Sequence, residues 1–215
     1  MNRIVLLAPA VLLAAGFAFA TTNVTFQPDG AASMDAMIRS AEPDTNYGNL
    51  SYISVGVEPG QTSAASLIKF TGLDPYVGAT LSYAELNLYC YDRWFDVSYP
   101  GFGFLRTAGA WTEDGVTWNN NPNADYNMDV VFTIPDADGW MTADVTSLVE
   151  TWLDGTFPHN GFFISVTAGG DVVGGGYFYS GEYADDPGLR PYLYMEYSYT
   201  GIEPASLGSV KAVFR

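Results

Sequence analysis

Short apolar runs separated by turn residues follow one another along most of the chain. Nine of them combine aromatic and β-branched residues over strand-like lengths. Gly, Pro, Asn and Asp lie between them, as in EPGQTS and PDADG. The pattern predicts an all-β fold, an antiparallel β-sandwich or jelly roll. The nine runs are NVTFQP, SYISVGV, ASLIKF, AELNLYCY, GFGFLRTAG, DVVFTI, GFFISVT, GGYFYS and RPYLYMEYSY.

The run AELNLYCY alternates between its two faces with a period of two. The residues expected to face the core are Ala84, Leu86, Leu88 and Cys90, and those expected to face outward are Glu85, Asn87, Tyr89 and Tyr91. Cys90 is the only cysteine of the chain, so no internal disulfide forms and we expect a buried thiol.

One segment, TADVTSLVETWLDGT, departs from the strand pattern. Its apolar residues recur at the spacing of an amphipathic helix, with Thr146 as the expected N-cap and Gly155 as the expected stop. The segment predicts one short helix that closes an end of the sandwich.

Both ends of the chain differ from its middle. Residues 1–20 combine Arg3, an apolar stretch and the small-residue cleavage signal Ala18-Phe19-Ala20, which together predict a secretory signal peptide. No later segment has the apolar length to span a membrane. We therefore expect a secreted protein with a β-domain over residues 21–198 and a C-terminal tail over residues 199–215.

The charge balance restricts the partners. The chain carries 24 acidic and 8 basic residues, a net charge of −16, and loss of Arg3 with the signal peptide would make the charge more negative by one. Nucleic acids and anionic lipids are disfavoured, because binding them requires clustered Lys and Arg. An acidic polysaccharide is disfavoured for the same reason, unless a divalent cation bridges the two.

The chain offers little for catalysis. His159 is its only histidine and stands in the turn-like GTFPHNGFF, where a surface position is the default. No motif supports a nucleophilic triad around it, although 24 carboxylates always permit some acid/base pair. We expect a protein that is not an enzyme.

Acidic turns are candidates for calcium, since oxygen-rich loops supply the hard ligands that this ion selects. None has the ordered spacing of a twelve-residue calcium loop, and solvated turn acids are the alternative at each position. The predicted ligands are Asp136 and Asp138 in PDADG, and Glu182 and Asp185 in EYADDPG.

Aromatic residues beside amides suggest two carbohydrate-binding candidates and one scaffold. The outward side of the run AELNLYCY, together with Arg93 and Trp94 after it, predicts a sugar site. The alternative is that its tyrosines are ordinary cross-strand residues. Tyr47 in the NYG turn is a second candidate. In WTEDGVTWNNNP we expect Val116–Trp118 to form a short strand and the asparagines to pin a turn. The predicted sugar-binding residues are Asn87, Tyr89, Tyr91, Arg93, Trp94 and Tyr47.

The order of several motifs carries a resemblance to a known family. They are DAMIRSAEPDTNYGN, SLIKFTGLDPYVGATLSYAELNLYCY, WTEDGVTWNNNP, WMTADVTSLVETWLDGTFPHNGFFIS and YFYSGEYADDPGLRPYLYMEY. In this order they resemble the DNRLRE-domain family, also grouped as carbohydrate-binding module family 96. The resemblance implies a secreted β-jelly-roll that binds polysaccharide without catalysis and is often attached to polysaccharide-degrading enzymes.

The chain departs from that family's pattern where Ala65 and Gly181 replace basic residues, which weakens the case for an anionic glycan. The alternative function is an extracellular or cell-surface structural or adhesion protein. Such a protein would self-associate through a sheet edge or through the tail, which ends with Lys211 and Arg215.

Overall fold

A computed structural model of the protein describes residues 21–27, 32–58, 60, 62–94, 102–166 and 173–199, without the side chains of residues 126–129. The predicted signal peptide lies outside the described residues, as does all but the first residue of the predicted tail. No helix among the described residues has the length and apolar character to cross a membrane.

Eleven strands and one α-helix make up the described residues. All nine predicted strands are present, whereas β2 and β8 were not predicted. The elements are β1 (Thr22–Phe26), β2 (Ser33–Arg39), β3 (Tyr52–Glu58), β4 (Thr62–Phe70), β5 (Thr80–Trp94), β6 (Phe102–Thr107), β7 (Ala124–Phe132), β8 (Gly139–Asp144), α1 (Thr146–Leu153), β9 (Phe162–Val166), β10 (Gly174–Tyr179) and β11 (Tyr192–Ser198).

The described strands pair antiparallel throughout. Their order is β1-β11-β5-β10-β3-β4-β9-β6-β7, with β2 paired to β4 and β8 paired to β5. The sheet curls so that strands far apart in this order, such as β11 and β6, contribute to one core. The prediction of an all-β antiparallel sandwich or jelly roll with one short helix is confirmed.

Helix α1 closes the main core. Its residues Leu148, Val149, Trp152 and Leu153 are buried, and the predicted inward side of β5 is buried with them. Thr146 is the first helical residue and Val145 is the N-cap, so the prediction of Thr146 as the N-cap is wrong by one residue. Asp144 Oδ1 accepts from both the N–H and the hydroxyl of Thr146. Gly155 follows the helix end with φ +77°, as a helix stop requires.

A second, smaller core lies under the segment Trp111–Asn123. Val116 is buried in it, and Trp111 and Trp118 pack against it. The expected strand Val116–Trp118 is absent from the segment, which is built of turns. Side chains hold these turns instead: Asn46 Nδ2 donates to the carbonyls of Glu113 and Val116, both at 2.7 Å. The segment is a scaffold for the second core.

The sequence predicted a surface position for His159, and the structure corrects this prediction. His159 is half-buried, its ring lies 4.4 Å from that of Trp152, and its Nε2 is 2.8 Å from the carbonyl oxygen of Phe70. Burial, the largest influence, lowers the pKa of its imidazole. The neutral ring therefore acts as a packing residue that joins the segment after α1 to β4.

Candidate aromatic binding site

Nine aromatic side chains from five strands and one loop form a continuous row. Each ring contacts at least one other ring, and the centroids of the contacting pairs lie 3.6 to 6.1 Å apart. We call this row the aromatic strip. Its members are Tyr52, Tyr89, Tyr91, Trp94, Trp140, Tyr177, Tyr179, Tyr183 and Tyr192.

Strand register brings these rings together. Tyr89 is paired with Trp140 across β5 and β8, and Tyr179 is paired with Tyr52 across β10 and β3. Because side chains alternate along a strand, Phe178 points to the opposite face and is fully buried in the core. A register shift in the β10–β5 pairing, between Tyr177 and Phe178, accompanies the aromatic contacts on both sides of it.

Tyr179 lies at the centre of the strip. Its ring stacks on the ring of Tyr183, with a centroid distance of 3.6 Å and an interplanar angle of 12°. It also stacks on the ring of Tyr91, with a centroid distance of 4.6 Å and an interplanar angle of 13°. Tyr89 is also nearly parallel to it, at 5.8 Å and 15°. Since these rings cover one another's faces, the middle of the strip offers ring edges and hydroxyl groups more than flat surfaces.

Trp140 provides the most exposed ring of the strip. It is 38% exposed. Its ring makes edge-to-face contacts with the rings of Tyr89 and Tyr192, at interplanar angles of 88° and 69°. Its indole N–H makes no hydrogen bond to any described residue. Trp140 therefore combines an accessible aromatic surface with an unused donor.

Glycines seat Trp94, which contacts the strip only through Tyr177. The indole lies against Gly56 and Gly175, where a Cβ at Gly56 would come within 2.6 Å of Trp94 Cζ2. Its Nε1 donates to the carbonyl of Val57 at 3.1 Å. The glycine run of β10 thus removes the side chains that would displace the indole from the sheet.

Arg93 lies next to the strip, but its guanidinium is engaged. It donates to Asp138 Oδ1 from Nη1 and Nη2 at 3.1 and 2.8 Å, and from Nε to the carbonyl of Asp136 at 3.1 Å. The loop that carries two predicted calcium ligands is therefore fastened to β5 by an arginine.

Two predicted sugar-binding residues lie away from the exposed strip. Asn87 is buried, which corrects the expectation that it faces solvent: its amide donates to Glu85, and its oxygen accepts from the Thr142 hydroxyl. Tyr47 donates to Glu42 Oε2 at 2.9 Å and makes no ring contact with the strip. Tyr89, Tyr91 and Trp94 are the predicted residues that the structure brings together.

Four tyrosines of the strip, Tyr91, Tyr177, Tyr179 and Tyr192, have a raised pKa and are protonated at neutral pH. The hydrogen bond with Tyr183 raises the pKa of Tyr179 to about 12, and burial raises the pKa of Tyr91 and Tyr177. The surface charge around these hydroxyls comes from neighbouring acids: the carboxylates of Asp138 and Asp185 act on Tyr179 and that of Asp92 on Tyr177. The strip is a neutral hydroxyl-bearing surface with an acidic border.

The four predicted calcium ligands are divided between two loops. Asp138 pairs with Arg93, Asp136 and Asp185 are exposed, and Glu182 has its Oε2 buried. No three His, Cys, Asp or Glu side chains converge on a possible metal position within the part of the chain that the structure describes. Calcium binding stays a prediction from the sequence.

An antiparallel β-sandwich with aromatic rings aligned across several strands has the architecture of a ligand-binding module. The chain belongs to carbohydrate-binding module family 96, whose family model matches residues 27–197. The resemblance noted in the sequence is thereby confirmed. No curated protein matches the chain.

Sequence reasoning missed most members of the strip. Tyr177 and Tyr179 alternate in GGGYFY, which was a signal for one outward face of β10. Trp140 and Tyr183 carried no comparable signal, because β8 was not predicted and Tyr183 lies outside the strands. Their place in the strip depends on pairing between distant segments.

Proposed function

We propose that this domain binds a neutral polysaccharide through the aromatic strip and acts without catalysis. The observation that carries the proposal is the continuity of the nine rings across the sheet, which include the exposed Trp140. A row of this kind suits a chain of sugar units, because successive units meet successive side chains.

Two kinds of contact support a sugar ligand. Tyrosine hydroxyls donate and accept hydrogen bonds with sugar hydroxyls, and the raised pKa values of Tyr91 and Tyr179 keep their hydroxyls protonated at neutral pH. The indole of Trp140 offers an apolar surface for the C–H face of a sugar ring, and its N–H offers a donor. Neither contact requires charge on the glycan.

The charges around the strip favour a neutral glycan over an anionic one. Arg93 is paired with Asp138. Arg39, whose charge acts on Tyr177, is paired with Glu58 and Glu42. Exposed acids border the strip and the whole chain has a net charge of −16. An acidic polysaccharide would meet repulsion without an unpaired cation in the described part of this surface.

The proposal includes export of the protein and an experiment that tests whether calcium assists binding. The apolar N-terminal stretch and its small-residue cleavage signal support secretion to a compartment where polysaccharides are present. Acidic loops beside the strip, including Asp136 and Asp185, supply the oxygen ligands that calcium would use.

The test is retention of the exported chain, residues 21–215, on a panel of neutral and acidic polysaccharides, with calcium and with chelator. We expect retention on a neutral glycan, and at least about tenfold weaker binding by Trp140→Ala and Tyr89→Ala, which corresponds to about 1.4 kcal/mol. Tyr199→Ala is the matched control, since Tyr199 is 39% exposed and contacts no ring of the strip.

Equal retention of the Trp140→Ala and Tyr199→Ala variants would overturn the assignment of the strip. Retention on acidic glycans alone would overturn the preference for neutral ligands. Loss of retention in chelator, with the fold intact by circular dichroism, would show that calcium assists binding.

A further inference from the structure

A pocket of about 480 Å³ shares no lining residue with the aromatic strip and lies where β6 ends beside β7 and the segment after α1. This volume is within the range of small-ligand sites, about 300–1,000 Å³. In the strand order β4 and β9 separate β6 from the strip strands β3, β10 and β5. The residues of its wall that matter here are Arg106, Thr107, Asp125, Phe157, Pro158 and Asn160.

A buried arginine forms the base of this pocket. Arg106 is 6% exposed, and its Nη2 pairs with Asp125 Oδ2 at 2.8 Å. The guanidinium carbon lies 3.7 Å from the centroid of the Phe157 ring, in cation–π geometry. The salt bridge and the ring contact hold the guanidinium in place, so its orientation is set before any ligand arrives.

The pocket wall contains polar groups that the described protein does not use. Arg106 Nε and Thr107 Oγ1 are buried without a hydrogen-bond partner among the described residues. The Asn160 side-chain amide also makes no hydrogen bond to a described residue, while its backbone carbonyl accepts from Trp111 Nε1. Arg106 Nε and Thr107 Oγ1 lie beneath the accessible wall, whereas Asn160 is only half-buried, so its amide is the unused donor that a ligand in the pocket can reach.

The chemistry of the wall matches one sugar unit. The Asn160 amide can donate to a sugar hydroxyl group, and the partly exposed carboxylate of Asp125 can accept from another. Phe157 is 37% exposed although Arg106 lies over its ring, which leaves apolar surface for the C–H side of a sugar ring. Because Asp125 balances the charge of Arg106, the pocket favours a neutral ligand over an anion.

We propose that this pocket is a second carbohydrate site, which holds the terminal neutral sugar unit of a glycan while the strip contacts units within a chain. The proposal rests on the proposed function only for the class of ligand. The two sites use different residues and different strands, so variants separate them.

The experiment measures binding of neutral methyl glycosides to residues 21–215 by saturation-transfer difference NMR and calorimetry. The pocket variants are Phe157→Ala and Asn160→Ala, whose side chains border the pocket without carrying the salt bridge. The matched variant is Trp140→Ala in the strip. Circular dichroism and the unfolding midpoint check the fold of each variant.

We expect at least one glycoside to bind, at least about tenfold more weakly in Phe157→Ala and within about twofold of the wild type in Trp140→Ala. Sugar binding that is lost in Trp140→Ala and kept in Phe157→Ala would overturn the pocket and leave the strip in place. Retention on a polysaccharide without binding of any methyl glycoside would also overturn the pocket and leave the strip in place. Glycoside binding that depends on Phe157, without retention on any polysaccharide, would support the pocket and overturn the strip.

Discussion

Asp35 of β2 and Gly181 after β10 are joined by a hydrogen bond of 2.8 Å from the Gly181 N–H to Asp35 Oδ2. Asp35 is buried, and its own N–H donates to Glu113 Oε1 at 2.7 Å. Asp35 Oδ1 and Glu182 Oε2 are both buried without a hydrogen-bond partner among the described residues. Three segments distant in sequence therefore meet at buried carboxyl groups.

This arrangement makes stability depend on pH. Burial, followed by the negative charge of Glu182, raises the pKa of Asp35 well above 3.8. The folded state then holds a proton that the unfolded state has lost, so the contribution of Asp35 to the free energy of unfolding falls as pH rises from about 3.8 through the raised pKa. The same contribution is fully present below pH 3.8.

We expect Asp35→Asn to increase the free energy of unfolding at pH 7 by about 1–3 kcal/mol, because an amide N–H can donate to Glu182 without a titrating proton. The gain should shrink as pH falls toward 4, as measured by urea unfolding at several pH values. Asp114→Asn, at an exposed acid, is the control. A gain independent of pH, or a loss at pH 8, would contradict the prediction.

Glu113 anchors the Trp111–Asn123 segment through its side chain. We expect Glu113→Ala to lower the free energy of unfolding by about 1–3 kcal/mol, because the Asp35 N–H loses its acceptor. Glu113→Gln keeps an acceptor oxygen and should retain most of this stability. The neighbouring Asp114→Ala should change little. Equal effects of the three substitutions in chemical denaturation would contradict this role.

Trp94 depends on the absence of a side chain at Gly175. A Cβ at that position would collide with the indole, so we expect Gly175→Ala to destabilise the domain by about 1–3 kcal/mol and to shift tryptophan fluorescence. Gly139→Ala is the matched control, since its Cβ would have its nearest neighbour at 4.0 Å. Unchanged fluorescence and stability in Gly175→Ala would be evidence against this packing.

Cys90 should be unreactive in the folded protein. It is fully buried, and burial raises the pKa of its thiol. Because the thiolate is the reactive form, we expect labelling by a thiol reagent at pH 8 to be at least about tenfold slower in buffer than in denaturant. Rapid labelling of the native protein would show that β5 opens readily.

The missed strands show where sequence patterns lose information. β2 carries Asp35 and Arg39, whose polar side chains are paired through distant partners, and this interrupts the expected alternation. β8 alternates over six residues only, directly before the helix pattern. In β2, contacts with other segments stabilise polar side chains that look unsuitable for a buried strand in isolation.

The sequence by itself determined the all-β class, nine strands, the helix and the burial of Cys90, because alternation and helical spacing are local properties of the chain. It also determined the family through ordered motifs. Tertiary structure alone decided that Trp140 and Tyr183 join the strip, that Asn87 is buried and that Arg106 lines a pocket. Strand register and loop packing set these positions, and both depend on contacts between residues far apart in sequence.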